Sequence, residues 1–145
     1  MKYNKYIFFI IIIICGLVLS ACVTPPSSAE AVEPIQIEKI DGTRNKLTLT
    51  EHAAQRLDIQ TAPVTETMMD ENTYLMIPYS TIIYDLEGEV WIYINPEPLT
   101  YQREKVVVEM IDGDSVLLKE GPAAGTMVVT IGVPELYGAD TGVGK

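Results

Sequence analysis

Gly88-Glu89-Val90-Trp91-Ile92-Tyr93-Ile94 is the stretch that decides the fold. β-Branched and aromatic residues fill it, and such side chains suit a pleated strand. Trp91 and Tyr93 fall on one face, Val90, Ile92 and Ile94 on the other. Both faces are apolar, so one belongs in a core and the other lies under a loop or helix. The alternative is an exposed aromatic strip that docks a partner. Upstream, Pro78-Tyr79-Ser80-Thr81-Ile82-Ile83-Tyr84 is β-rich, and Asp85-Leu86-Glu87-Gly88 supplies a turn. The two runs therefore read as a hairpin with a short glycine-containing loop.

The pattern continues outward in both directions. Asn95-Pro96-Glu97-Pro98 interrupts it, and Tyr101 to Ile111 reads as one long strand. Asp112-Gly113-Asp114 is a tight turn, Ser115 to Lys119 its partner strand, and Thr126 to Ile131 another strand. Toward the amino terminus, Ile35, Ile37 and Ile40 mark a strand and turn, and Lys46-Leu47-Thr48-Leu49 alternates as a strand. Thr50 is placed to cap a short helix from Glu51 to Leu57. Asp58 to Thr67 reads as a strand that Pro63 assigns to an edge. Met68 to Asn72 reads as a turn, Thr73 to Met76 as a strand, and the glycine-rich tail from Tyr137 as loose. The expected fold is mainly β: a small antiparallel β-barrel or sandwich-like domain with one short helix.

The first residues have a different character. Lys2 and Lys5 precede an apolar run of 13 residues, Ile7 to Leu19. A spanning helix needs roughly 20 residues, so the run suits a signal peptide better than a membrane anchor. Leu19-Ser20-Ala21-Cys22 resembles the bacterial lipobox, which implies cleavage before Cys22 and a covalent lipid on its sulfur, with no other cofactor. Two or three acyl chains on one residue give stable anchoring. Residues 22–36, with Pro25, Pro26 and Pro34 among small and polar residues, read as a flexible tether. The expected organisation is a signal peptide over 1–21, the tether over 22–36, a β domain over 37–138 and a loose tail over 139–145. Cys15 leaves with the signal peptide, so the mature chain has no partner for a disulfide.

Charge narrows the partners. The 145 residues carry a formal charge of −10. Removing residues 1–21 takes away Lys2 and Lys5 and no acid, so eight of 10 bases remain against 20 acids, a net −12. Such a domain repels nucleic-acid phosphates and anionic lipid heads alike. A partner interaction with nucleic acid is therefore not expected, and contact with the membrane runs through the lipid.

Pro78-Tyr79-Ser80-Thr81-Ile82-Ile83, Gly88 to Tyr93, Tyr101-Gln102-Arg103-Glu104-Lys105-Val106-Val107-Val108, Glu120 to Val129 and Gly132-Val133-Pro134-Glu135-Leu136 follow one another in a recognisable order. In that order they resemble the C-terminal part of periplasmic adaptor subunits, the membrane fusion proteins of resistance-nodulation-division efflux pumps. Leu47 to Val64 is similar to the segment near the start of heavy-metal adaptors. Pro122 and Thr126 depart from the family's usual leucine and acid. The resemblance covers roughly 46–66 and 77–137 and implies that the two segments meet as a membrane-proximal domain. The barrel, lipoyl and hairpin domains between them are missing, and about a dozen residues, Thr67 to Ile77, take their place. It implies an accessory that docks on an inner-membrane transporter or a full-length adaptor, and the expected location is extracytoplasmic, on the periplasmic side of the envelope if the host is Gram-negative. Trp91, Tyr93, Tyr101 and Arg103 are the candidate partner-binding residues.

Chemistry for a reaction is sparse, and no enzyme is expected. His52 is the lone histidine, and no nucleophile motif accompanies it. Asp112-Gly113-Asp114 lacks the spaced ligands of a calcium loop. The thioethers of Met68, Met69 and Met76 suit a soft cation such as Cu(I). The bland alternative puts Met68 and Met69 in the linker and Met76 in the core. A small-molecule or metal-ion binding lipoprotein using these methionines or His52 is the second functional expectation.

Overall fold

The computed structural model describes residues 33–142. The expected signal peptide, Cys22, most of the expected tether and residues 143–145 lie outside the described residues.

The strand containing Trp91 organises everything else. Strands β1 (Ile35–Lys39), β2 (Asn45–Leu49), β3 (Gln60–Pro63), β6 (Ile83–Tyr84), β7 (Val90–Glu97), β8 (Thr100–Lys105) and β11 (Met127–Ile131) form a seven-stranded antiparallel sheet. Its main path runs β1-β2-β8-β7-β11-β3, and β6 pairs with β7 beside it. Strands β4 (Thr65–Met69), β5 (Asn72–Pro78), β10 (Ser115–Glu120) and β9 (Val107–Asp112) form a second sheet in that order. The sheets do not close into a barrel. Helices α1 (Glu51–Arg56) and α2 (Val133–Thr141) complete the fold, so there are two helices where one was expected.

Two hydrophobic clusters make three layers. Leu47, Leu49, Tyr93, Tyr101 and Val129 pack with Ala53 of α1 and Val133 and Leu136 of α2 on one side of the large sheet. On its other side, Ile92 and Val128 meet Ile77, Val116 and Leu118 of the small sheet. β7 and β11 are thus covered on both faces, which is why Val90 to Ile94 and Met127 to Val129 are continuous apolar runs. The glycine-loop hairpin read from the sequence is present as β6 and β7, with Ile83 opposite Trp91.

Two expected strands are broken. The run from Asp58 splits at Val64 into β3 and β4, and the run from Tyr101 splits at Val106 into β8 and β9. Each half joins a different sheet. Val64 and Val106 are both buried in the cluster between the sheets. Their amides donate to Thr126 and Val90 carbonyls at 2.8 and 3.0 Å, so the bends leave no orphaned donor. A buried valine is the pivot in both cases.

The helices follow capping chemistry. Thr50 Oγ1 accepts from Ala53 N at 3.2 Å, as its position before Glu51 implies. The expected loose tail is instead α2 as far as Thr141, with Pro134 in its first turn and Gly142 in the left-handed conformation after it. The folded domain also begins earlier than expected, because Ile35 and Gln36 already pair with Leu49 and Thr48.

Candidate functional site

Three of the four residues singled out for docking are part of one internal junction. Tyr93 on β7 sits opposite Arg103 on β8 and faces the helices. Helix α2 delivers Asp140 to the same place, and Asp140 is buried. The Tyr93 hydroxyl donates to Asp140 Oδ2 at 2.7 Å. Asn45 Nδ2 donates to Asp140 Oδ1 at 2.6 Å and to its carbonyl at 3.2 Å. Arg103 Nε lies 2.5 Å from Asp140 Oδ2 as an ion pair, without the alignment of a hydrogen bond. Arg103 Nη2 donates to the Thr43 carbonyl at 2.7 Å.

Aromatic rings flank the cation. The guanidinium centre is 5.2 Å from the Trp91 ring centre and 5.9 Å from that of Tyr137, within cation–π range. Trp91 is held in turn: its indole donates to Asp85 Oδ2 at 2.8 Å. Asp85 Oδ1 also accepts the Glu87 and Glu89 amides at 3.1 and 2.7 Å, closing the β6–β7 turn.

The electrostatics are those of a lock. Burial, reinforced by Asp140 as acceptor, holds the Tyr93 phenol far above the ordinary tyrosine range, so it remains a hydrogen-bond donor. Burial acts to raise the Asp85 carboxyl, but the bonds from Trp91, Glu89 and Glu87 and the nearby Arg103 charge outweigh it. The net direction is downward. Tyr101 is raised by burial alone. Glu104, on the face toward the small sheet, is raised by burial against the opposing charge of Arg44. Apart from Arg103 Nε, which meets Asp140 as an ion pair only, these polar groups are hydrogen-bonded to one another, and the result fastens α2 and the β1–β2 turn to the large sheet.

The exposed aromatic strip is therefore corrected. Tyr93 and Tyr101 are buried and Trp91 and Arg103 are only partly accessible, so the four do not form one exposed strip. Tyr101 packs in the cluster under the helices and is outside the polar junction. Asp140 and Asn45 were missed in the sequence. The signal for Asp140 was present: Val133, Leu136, Tyr137 and Asp140 recur at helical spacing behind Pro134 and Glu135.

Met68 and Met69 do lie in the segment that takes the place of the missing domains, but on a strand rather than in a turn, and Met76 is outside both core clusters. Met68 and Met69 lie within β4, and the turn is only Asp70-Glu71. Met68 pairs with Thr73, Met69 with Asn72, and Met76 with Thr65. Because faces alternate, Met68 points to the opposite side from Met69 and Met76. Met69 and Met76 share a face but are four rungs apart, roughly 13 Å at the strand rise. The three thioethers do not converge on one cation. Met76 is partly exposed beside buried Ile77 rather than inside the core. Among the described residues, no group of three His, Cys, Asp or Glu side chains converges for a metal.

His52 is exposed on α1 and lines an open groove of about 240 Å³ with Pro34, Ile35, Ala53, Arg56 and Leu57. Among the described residues, no acid or hydroxyl lines this groove beside the imidazole. No helix among the described residues is long and apolar enough to cross a membrane. No family model, curated protein or solved structure matches the chain.

Proposed function

We propose that this chain is a lipid-anchored extracytoplasmic binding module, similar to the membrane-proximal domain of an efflux adaptor standing alone, and an accessory of a transport complex. One observation carries the reading. The two stretches that resemble adaptors meet in the large sheet, where β2 pairs with β8 and β3 with β11. Between them, the chain turns back in the β4–β5 hairpin through two residues, Asp70 and Glu71, both with positive φ. That is the geometry of a two-residue hairpin turn of the type that matches strand twist. A tight hairpin thus occupies the point where a full adaptor departs into its other domains. Without those domains the module binds at a membrane and does not bridge two.

The anchor and the docking are tested separately. Radioactive palmitate should label the chain in cells and be lost in Cys22→Ser. Affinity capture of the lipidated chain from detergent-solubilised membranes should recover a transporter or adaptor subunit. Recovery of no transport component, with a small ligand or metal ion retained in native mass spectrometry, would replace this reading with that of a ligand-binding lipoprotein.

A further inference from the structure

The small sheet has one face in the inter-sheet cluster and one face outside it. Leu75, Ile77, Val116 and Leu118 point inward. Their neighbours point outward: Met76 pairs with Leu117, and Leu117 with Met110, so these three form one row across three strands. Tyr74 and Met69 extend the same face toward the Asp70-Glu71 turn. None of these five residues belongs to either hydrophobic cluster. Met110 is 38% exposed, and Leu117, at 5%, lies between Met76 and Met110 in the row. An open groove of about 290 Å³ adjoins the row, lined by Thr65, Met76, Pro78, Asp114 and Ser115 among others.

Acids bound this apolar face at both ends. The β4–β5 turn contributes Asp70 and Glu71, whereas Glu66 pairs with Leu75 and so shares the inward face. The β9–β10 turn contributes Asp112 and Asp114, and Lys119, two residues after Leu117 on β10, is the one base of the two hairpins and shares the outer face. The register places the Asp70-Glu71 turn at one end of β5 and the Asp112-Gly113-Asp114 turn at the other, because Asn72 is next to the first and Pro78 pairs with Ser115. We infer that the outer face of the small sheet is a docking surface for an amphipathic helix of a partner protein, apolar along its middle and Lys/Arg-rich at its ends.

Three physical arguments select that occupant. Charge complementarity asks for cations at both turns, and a second copy would set acidic turns against acidic turns. Anionic lipid is repelled for the same reason. Length agrees as well: the seven residues of β5 extend roughly 23 Å, which a helix of about 15 residues matches. Methionine side chains give an adaptable apolar lining of the kind that accepts helices of varied sequence. The inference rests on the reading of the chain as a protein-binding module, but its test does not pass through the transport complex.

The probe is a synthetic 15-residue leucine–lysine peptide with lysines at both ends. It is titrated against the full lipidated chain in phosphatidylcholine nanodiscs, with the methionine methyl groups labelled with carbon-13 and empty nanodiscs as control. Signals of Met69, Met76 and Met110 should move, and those of Met68 and Met127 should stay. Met76→Glu should weaken binding about tenfold, the equivalent of one buried apolar contact. Asp112→Asn with Asp114→Asn should weaken it and reduce its dependence on salt. Absence of any shift, equal movement of Met68 and Met127, or indifference to Met76→Glu would overturn the inference, with folding of the variant verified by circular dichroism. Shifts of the same methyls on adding phosphatidylglycerol vesicles would assign the face to a membrane instead. Shifts that depend on protein concentration alone would assign it to a second copy. Failure here leaves transporter capture untouched, and failure of capture leaves this result untouched.

Discussion

The two sheets are built from similar strands but use their outer faces in opposite ways. The large sheet covers both faces, one with helices and one with the small sheet. Its polar side chains are paired inside, around Asp140. The small sheet covers one face and leaves a methionine-lined row on the other. Aromatic residues on a strand are therefore no guide to a docking surface by themselves. Here Trp91, Tyr93 and Arg103 hold the domain together, and the accessible apolar surface is elsewhere.

Breaking the lock should have the largest effect. Asp140→Ala leaves Arg103 as a largely buried charge without its counter-ion, strips Tyr93 of its acceptor and leaves Asn45 only the Asp140 carbonyl. Loss of one half of a buried pair is worth about 4 kcal/mol, a large share of a small domain's stability. Urea unfolding followed by Trp91 fluorescence would measure it. A loss below about 1 kcal/mol would mean that the junction is not what fastens α2.

The approach to α2 should come next. Gly132 has φ +86, and a Cβ there would clash with Ile59 Cδ1 and lie 3.2 Å from the Leu57 carbonyl. Gly132→Ala should therefore destabilise the domain by about 2 kcal/mol, since strained backbone and a crowded neighbour act together. Tyr93→Phe removes one hydrogen bond and little volume, and should lose about 1 kcal/mol in the same assay.

Acid should loosen the same side of the molecule gradually. Asp85 is held below the usual carboxylate range, and Asp41 well below it by the Thr43 amide and the Arg44 side chain. A carboxyl depressed in the fold contributes its stability in full above its unfolded pKa and loses it as pH falls through the folded one. Thermal stability attributable to these turns should hold down to about pH 4 and decline below it. Asp85→Asn should flatten that decline. The smallest effect belongs to the small sheet: Met110→Glu should change stability by less than about 0.5 kcal/mol, because its side chain supports neither cluster. A large loss would mean that the outer row is structural.

The sequence was legible where local chemistry acts alone. Thr50 as a cap, Pro63 at a sheet edge and the Asp85–Gly88 turn all have local causes, and all are found in place. The breaks at Val64 and Val106 were not legible. Alternation with period two continues through a bend, and nothing in it says which sheet the next residue joins. Methionine orientation was hidden for the same reason: only pairing of Leu75 and Ile77 inward turns Met76 outward. In the tail, Gly138 and Gly142 obscured a helix that Pro134, Glu135 and the apolar spacing announce. Asp140 was missed with it, and the junction it organises could not be assembled from Tyr93 and Arg103 alone.

Site-specific photocrosslinking in intact membranes bears most directly on the contrast between the two sheets. A photoreactive phenylalanine analogue is placed at Thr65, on the outer face of the small sheet, or at Leu86, 98% exposed on the β6–β7 turn of the large one. The expected result is an adduct from position 65 to a basic, amphipathic segment of a transport component, and none from position 86. Adducts from position 86 with none from position 65 would contradict the division between a locked sheet and a docking sheet.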